Sequence, residues 1–108
     1  MELNDFLGVV QALRANHDRA FNPLALECFL HCAIKPRSMR ELEVLTGAHN
    51  GNLSRALQSV TPWWSSAREE LIMPKLYLLE RKKGKNSRAY QFSLSRTGFQ
   101  LLQGKKAT

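Results

Sequence analysis

Residues 38–60 carry two short apolar stripes of helical period with a glycine between them, and this restricts the fold more than any other stretch of the chain. Ser38-Met39-Arg40-Glu41 sets a glutamate three residues after a serine, the reciprocal pattern that satisfies the first free N–H groups of a helix. Leu42 and Leu45 are the expected buried face of that helix, and Thr46-Gly47 closes it. Leu53, Ala56, Leu57 and Val60 then repeat at the same period and stop before Thr61-Pro62. Two short helices joined by a tight glycine-containing turn predict a helix-turn-helix over 38–60.

The flanking segments extend the pattern. Leu3, Phe6, Leu7, Val10 and Leu13 form one helical stripe, which predicts a helix over 3–16, ended by Asn16-His17-Asp18. That stripe has two possible destinations, the chain's own core or a partner. A second helix is predicted from Pro23, capped by Asn22, to about Ile34, and it is apolar on most sides, as a central core helix is. Pro36 drives Lys35 out of the helical region and stops it. Further on the period changes. Lys75 to Lys82 is rich in Leu and Tyr, and Tyr90, Phe92 and Leu94 alternate with polar residues, around the polar loop Lys83-Gly84-Lys85-Asn86-Ser87. This predicts a β-hairpin over 75–95, and Ser95 then caps a short helix over 96–103. Residues 63–74 show no period that assigns them. The expected fold is a single α+β domain, a winged helix-turn-helix with helices first, then a two-stranded wing and a short C-terminal helix.

Charge divides unevenly along the chain. Residues 1–54 hold five basic and six acidic side chains, a net of −1, and residues 55–108 hold eleven basic and three acidic, a net of +8. A localised positive field is what a polyanion selects, because each neutralised phosphate releases a counterion. No apolar run is long enough to cross a membrane. The acidic start Met1-Glu2-Leu3-Asn4-Asp5 predicts no secretory leader, and the two cysteines then predict a reducing cytosol.

Leu42-x-x-Leu45-x-Gly47, Leu53-Ser54-Arg55-x-Leu57, the basic hairpin and Leu94-Ser95-x-x-Gly98-x-x-Leu101-Leu102 together resemble the MarR-type winged-helix regulators over about residues 23–103. The resemblance implies that the helix over 50–59 enters the major groove of double-stranded DNA. It also implies that a wing over 81–88 reaches a neighbouring phosphate or the minor groove.

The residues themselves suit those roles. With Leu53, Ala56, Leu57 and Val60 facing inward, the opposite face of the second short helix carries Asn50, Gly51, Ser54, Arg55 and Gln58, with Asn52 at its edge. Asn and Gln bond adenine in two places and Arg bonds guanine in two places. No acidic residue occurs between Glu43 and Glu69, whereas an ordinary solvated face mixes signs. In the wing Arg81, Lys82, Lys83, Lys85 and Arg88 put five positive charges into eight residues, with Asn86 among them. Arg37 and Arg40 are candidate backbone contacts that position without specifying. Cys28 and Cys32 share a helix face beside His31, but a closed zinc site needs four ligands, so they read as core thiols and no metal or cofactor is expected. No nucleophile, base and orienting acid stand at a recognisable spacing, and no phosphate-binding glycine loop occurs, so no enzyme is expected. Trp63-Trp64 reads as one ring on the core and one at a subunit contact, with a stacking platform for single strands as the alternative. The expected function is that of a homodimeric, sequence-specific DNA-binding regulator or repressor. The alternatives are a DNA-binding accessory of plasmid or phage replication or partition, and a winged-helix protein-interaction module.

Overall fold

The structure, a computed structural model, describes residues 3–15, 22–83 and 90–103. In chain order the elements are α1 (Leu3–Ala15), α2 (Pro23–Ile34), β1 (Arg37–Ser38), α3 (Met39–Thr46), α4 (Asn50–Gln58), β2 (Trp63–Ser65), β3 (Glu70–Ile72), β4 (Leu79–Lys83), β5 (Tyr90–Leu94) and α5 (Arg96–Leu102). They build an α+β domain in which α2 occupies the centre. Asn22 starts α2 by accepting hydrogen bonds from the Leu24 and Ala25 N–H groups at 3.0 and 3.4 Å. Ala25, Cys28, Phe29 and Cys32 of α2 are buried against α3, α4 and β5.

Ser38 and Glu41 close the reciprocal cap of α3, each accepting the other's backbone N–H at 3.1 Å. The Ser38 N–H also holds the Glu41 carboxyl below its usual carboxylate range. At its far end Gly47 adopts a left-handed φ of 71° and donates its N–H to the Glu43 carbonyl at 2.9 Å. Residues 47–49 then lead into α4, which seats Leu53, Ala56 and Leu57 in the core. Leu45 departs from expectation. α3 meets the core through Leu42 and the half-buried Met39, and Leu45 stands at the edge of that contact, exposed like its neighbour Val44.

The sheet is antiparallel in the order β1-β5-β4, with Arg37 and Arg81 on either side of Phe92. β1 has no counterpart in the hydrophobic pattern, since two residues are too few to show a period. The hairpin strand begins at Leu79 rather than at Lys75. Residues 76–78 serve the core instead: Leu76 and Leu78 are buried, and the N–H groups of Leu78 and Leu79 both donate to the Val60 carbonyl at 3.0 Å. Trp63–Ser65 and Glu70–Ile72 form a second, separate hairpin, with Trp64 opposite Leu71.

The α1 stripe also lies differently. Among the described side chains of α1, Val9, outside the stripe, is the buried one, while Leu3 is 86% and Leu7 52% exposed. The side chain of Leu13 lies outside the described residues. α1 packs on α5, where Leu101 is buried and Phe99 is exposed.

α5 is fastened by Ser95. Its N–H donates to the Leu78 carbonyl at 2.9 Å, its hydroxyl donates to the Tyr77 carbonyl at 2.6 Å and accepts the Gly98 N–H at 3.0 Å. A Cβ on Gly98 would run into the Leu78 carbonyl oxygen and come within 3.1 Å of the Phe29 ring. Gly51 at the start of α4 faces open space. Alanine favours a helix over glycine by about 1 kcal/mol at either place, so only the clash separates them. In urea titrations Gly98→Ala is expected to lose about 1–3 kcal/mol of stability. Gly51→Ala is expected to gain up to about 1 kcal/mol. Equal effects would contradict the close packing of α5 on residue 78.

Candidate functional site

Burying Leu53, Ala56 and Leu57 turns the rest of α4 outward. Asn50, Gly51, Asn52 and Arg55 are exposed, and Ser54 and Gln58 are half-buried beside them. The helix thus presents amides, a hydroxyl and one guanidinium, with no acid of its own. Its cap residue His49 makes no side-chain hydrogen bond to the first turn. Glu43, midway along α3, supplies a link that sequence spacing did not disclose: its carboxylate accepts the Asn50 Nδ2–H at 2.8 Å. Asn50 Oδ1 in turn lies 3.5 Å from the Ser54 hydroxyl, at the long limit of a hydrogen bond.

The basic strand β4 divides its charges between two faces. Directly paired residues in an antiparallel ladder share a face, and successive residues alternate. Arg81, opposite Phe92, and Lys83, opposite Tyr90, therefore stand on the side of the sheet that buries Leu79 and Phe92. Lys82 stands on the other side, where its ammonium meets Glu80 at 2.9 Å. The hydrogen bond and charge of Glu80 raise the pKa of Lys82 and keep it protonated. Arg81 lies over the Tyr90 ring, 4.9 Å from its centroid, which restrains a side chain otherwise free in solvent.

A groove runs between the helices and the basic strand. A hollow of about 690 Å³ runs between the start of α3 and the sheet, lined by Arg40, Glu43, Arg81 and Tyr90 among others. A smaller one of about 80 Å³ lies beside α4, lined by Ser54, Gln58, Thr61 and Trp63. Met39, Arg81 and Phe92 border both, so Arg81 stands where they meet. The Thr61 hydroxyl is buried there with no partner among the described residues.

The two flanking arginines have different fates. Arg40 is exposed at the rim of the larger hollow. Arg37 is only 13% exposed in its side chain, donates from Nε to the His31 carbonyl at 3.2 Å and lies 4.0 Å from Glu41. It is engaged in ending α2 and starting α3, which leaves little of it for an external ligand. Lys85, Asn86 and Arg88 lie outside the described residues. Trp63 is half-buried next to α4 and Trp64 is exposed.

Cys28 and Cys32 are both buried, and His31 faces Glu27 at 3.4 Å rather than the thiols. Among the described residues no group of three or more His, Cys, Asp or Glu is placed to hold a metal ion. No helix among them is long and apolar enough to cross a membrane.

Comparison of the chain with known protein families, with characterised proteins and with solved structures returns no match.

Burial pushes both thiols from the ordinary 9.0 up to about 12, reinforced by the charge of Glu27 at Cys28 and by the neighbouring thiol at Cys32. At pH 8 iodoacetamide is therefore expected to spare both cysteines in the native protein and to modify them in urea. Above pH 9 the unfolded chain releases thiol protons that the folded chain retains to about 12, so stability falls through that window. The Cys28→Ala/Cys32→Ala double variant loses that part of the pH dependence. Rapid alkylation of the native protein would contradict the burial.

Proposed function

We propose that this domain is a winged helix-turn-helix that binds double-stranded DNA as a transcriptional regulator, with α4 in the major groove and the β4–β5 hairpin along the backbone or minor groove. The observation that carries the reading is the exposed face of α4. It sets Asn50, Asn52, Arg55 and Gln58, the side chains that pair in two places with adenine and guanine, on a helix without acids, backed by buried Leu53, Ala56 and Leu57. The element order supports it too: two helices and a short strand, then α3 and α4 across the turn, then, after the small β2–β3 hairpin, the β4–β5 hairpin and a closing helix. The resemblance of residues 23–103 to MarR-type regulators points the same way. Regulation then amounts to occupying an operator inside the cell.

Arg81 and Lys83, on the helix side of the sheet, are the wing positions that meet phosphates alongside α4. Lys82, held by Glu80 on the other side, contributes less. Arg40 adds a backbone contact across the groove. The exposed Leu3 and Leu7 of α1, with Phe99 of the adjoining α5, provide an apolar surface for a second copy. A two-fold dimer formed there presents two α4 helices to half-sites about one helical turn apart.

Selection of bound genomic fragments with the purified protein is expected to return a defined site. On that site Arg55→Ala is expected to cost about 1–3 kcal/mol and to relax preference at one base pair per half-site, with random duplex affected much less. Lys82, Lys83 and Lys85 changed together to Ala should instead weaken both duplexes alike. Every phosphate that the triple variant no longer neutralises should lower the slope of log K against log salt by about 0.9. An unchanged slope would remove these lysines from the phosphates, and an unchanged specific-to-random ratio would reduce Arg55 to a backbone contact. In sedimentation at micromolar concentration the chain is expected to exceed its 12.3 kDa monomer mass, and Leu3→Glu/Leu7→Glu to return it to the monomer. A wild-type monomer both on and off DNA would exclude the dimer.

A further inference from the structure

We infer that Glu43 is a positioning residue for base reading: through the hydrogen bond that crosses the turn between α3 and α4, it sets the orientation in which Asn50 meets a base. The inference rests on the DNA-binding reading above and adds to it a residue outside the recognition helix.

Asn50 opens α4, on the face that points to solvent. A free asparagine amide there has two orientations related by a half-turn of its terminal group, and they exchange donor for acceptor. The carboxylate of Glu43, 2.8 Å from Nδ2, accepts and never donates when ionised, so it selects the orientation with the NH₂ toward α3. Oδ1 then points along α4 toward the Ser54 hydroxyl, 3.5 Å away. One N–H and the outer lone pair of Oδ1 remain for a ligand. An adenine edge needs both a donor and an acceptor in a fixed order, and a preset amide offers them without a search.

The energetic side agrees with a directional role. Asn50 is exposed, and an exposed hydrogen bond adds little to stability. The cost of the arrangement lies in its charge. Glu43 borders the groove that also holds Arg40 and Arg81, so it repels the phosphates that those arginines attract. A carboxylate in that place lowers affinity for every duplex alike, and what it contributes in return is the geometry of Asn50. Glutamine removes the charge and keeps an acceptor for Asn50, although its own NH₂ can also bond the reversed amide, while alanine removes charge and bond together. The two substitutions therefore separate positioning from electrostatics.

The test measures affinity for the selected site and for random duplex, at one salt concentration. Glu43→Gln is expected to bind both more tightly and to keep more of their ratio than Glu43→Ala does. Glu43→Ala is expected to bind random duplex more tightly but to lose about fivefold or more of the ratio, at the base pair that Asn50→Ala also relaxes. The double variant Glu43→Ala/Asn50→Ala should lose no more than Asn50→Ala alone, because the two act as one unit. A second readout needs no DNA. In the wild type one Asn50 side-chain amide proton is expected to carry the downfield shift of a proton bonded to a carboxylate, and in Glu43→Ala it should return toward the position of a free asparagine. A wild-type specific-to-random ratio of one would overturn the DNA-binding reading and this inference with it. A ratio well above one that Glu43→Ala leaves intact, or Asn50 amide resonances that are the same in the wild type and in Glu43→Ala, would overturn the positioning role alone.

Discussion

Most of the tertiary arrangement passes through the contact between residue 78 and the start of α5. The Leu78 carbonyl takes the Ser95 N–H, and Gly98 lies so near that carbonyl that no side chain fits between them. The preceding residue is held by the same serine, whose hydroxyl donates to the Tyr77 carbonyl. Leu78 and Leu79 in turn donate to the carbonyl of Val60, just past the end of α4. Three consecutive residues, 77 to 79, thus link the exit of α4, the first residue of β4 and the cap of α5. The β4–β5 register follows from this, since Leu79 pairs with Leu94, next to Ser95. So does the placement of the basic strand beside the exposed face of α4.

The apolar side chains left outside this arrangement are as informative as those within. A chain of this size has surface to spare, and single exposed leucines need no explanation. The α1 stripe is different, because a helix with that period is built to cover something. α2 runs through the centre of the core, and among the described side chains of α1 Val9 is the buried one, while α1 packs on α5. Leu3, Phe6 and Leu7 of the stripe are exposed, which is the physical basis for proposing a second copy there.

Electrostatics on the exposed side follows a division that composition cannot show. Five cationic side chains between 81 and 88 look equivalent as a string. In the sheet, alternation sends Arg81 and Lys83 to the face shared with Phe92 and Lys82 to the face shared with Glu80. Arg37 is drawn inward, because the end of α2 and the start of α3 leave a carbonyl and a carboxylate within its reach. Charge count therefore overstates the positive surface, and pairing decides which cations are open to an anion.

The sequence by itself determined the elements whose causes are local. The cap of α3 is legible in Ser38 and Glu41, the stop at Gly47 in the need for a left-handed residue, the start of α2 in Asn22-Pro23, and the outward face of α4 in the spacing of Leu53, Ala56 and Leu57. Each depends on residues within about one helical turn of one another. The tertiary structure alone decided the rest. β1 exists because Phe92 and Gln91 lie beside Arg37 and Ser38, contacts more than fifty residues apart. The small hairpin at 63–72 shows too few residues per strand for alternation to register. Residues 75–78 look like strand, but Leu76 and Leu78 are drawn into the core and the Leu78 N–H is taken by Val60. Leu45 and most of the α1 stripe carry the right period yet lie where no described part of the core covers them. The link from Glu43 to Asn50 follows the same logic, since only the path of the turn at Gly47 brings a carboxylate of one helix onto the first amide of the next. Spacing along a chain reports which side chains share a face, and packing decides what that face meets.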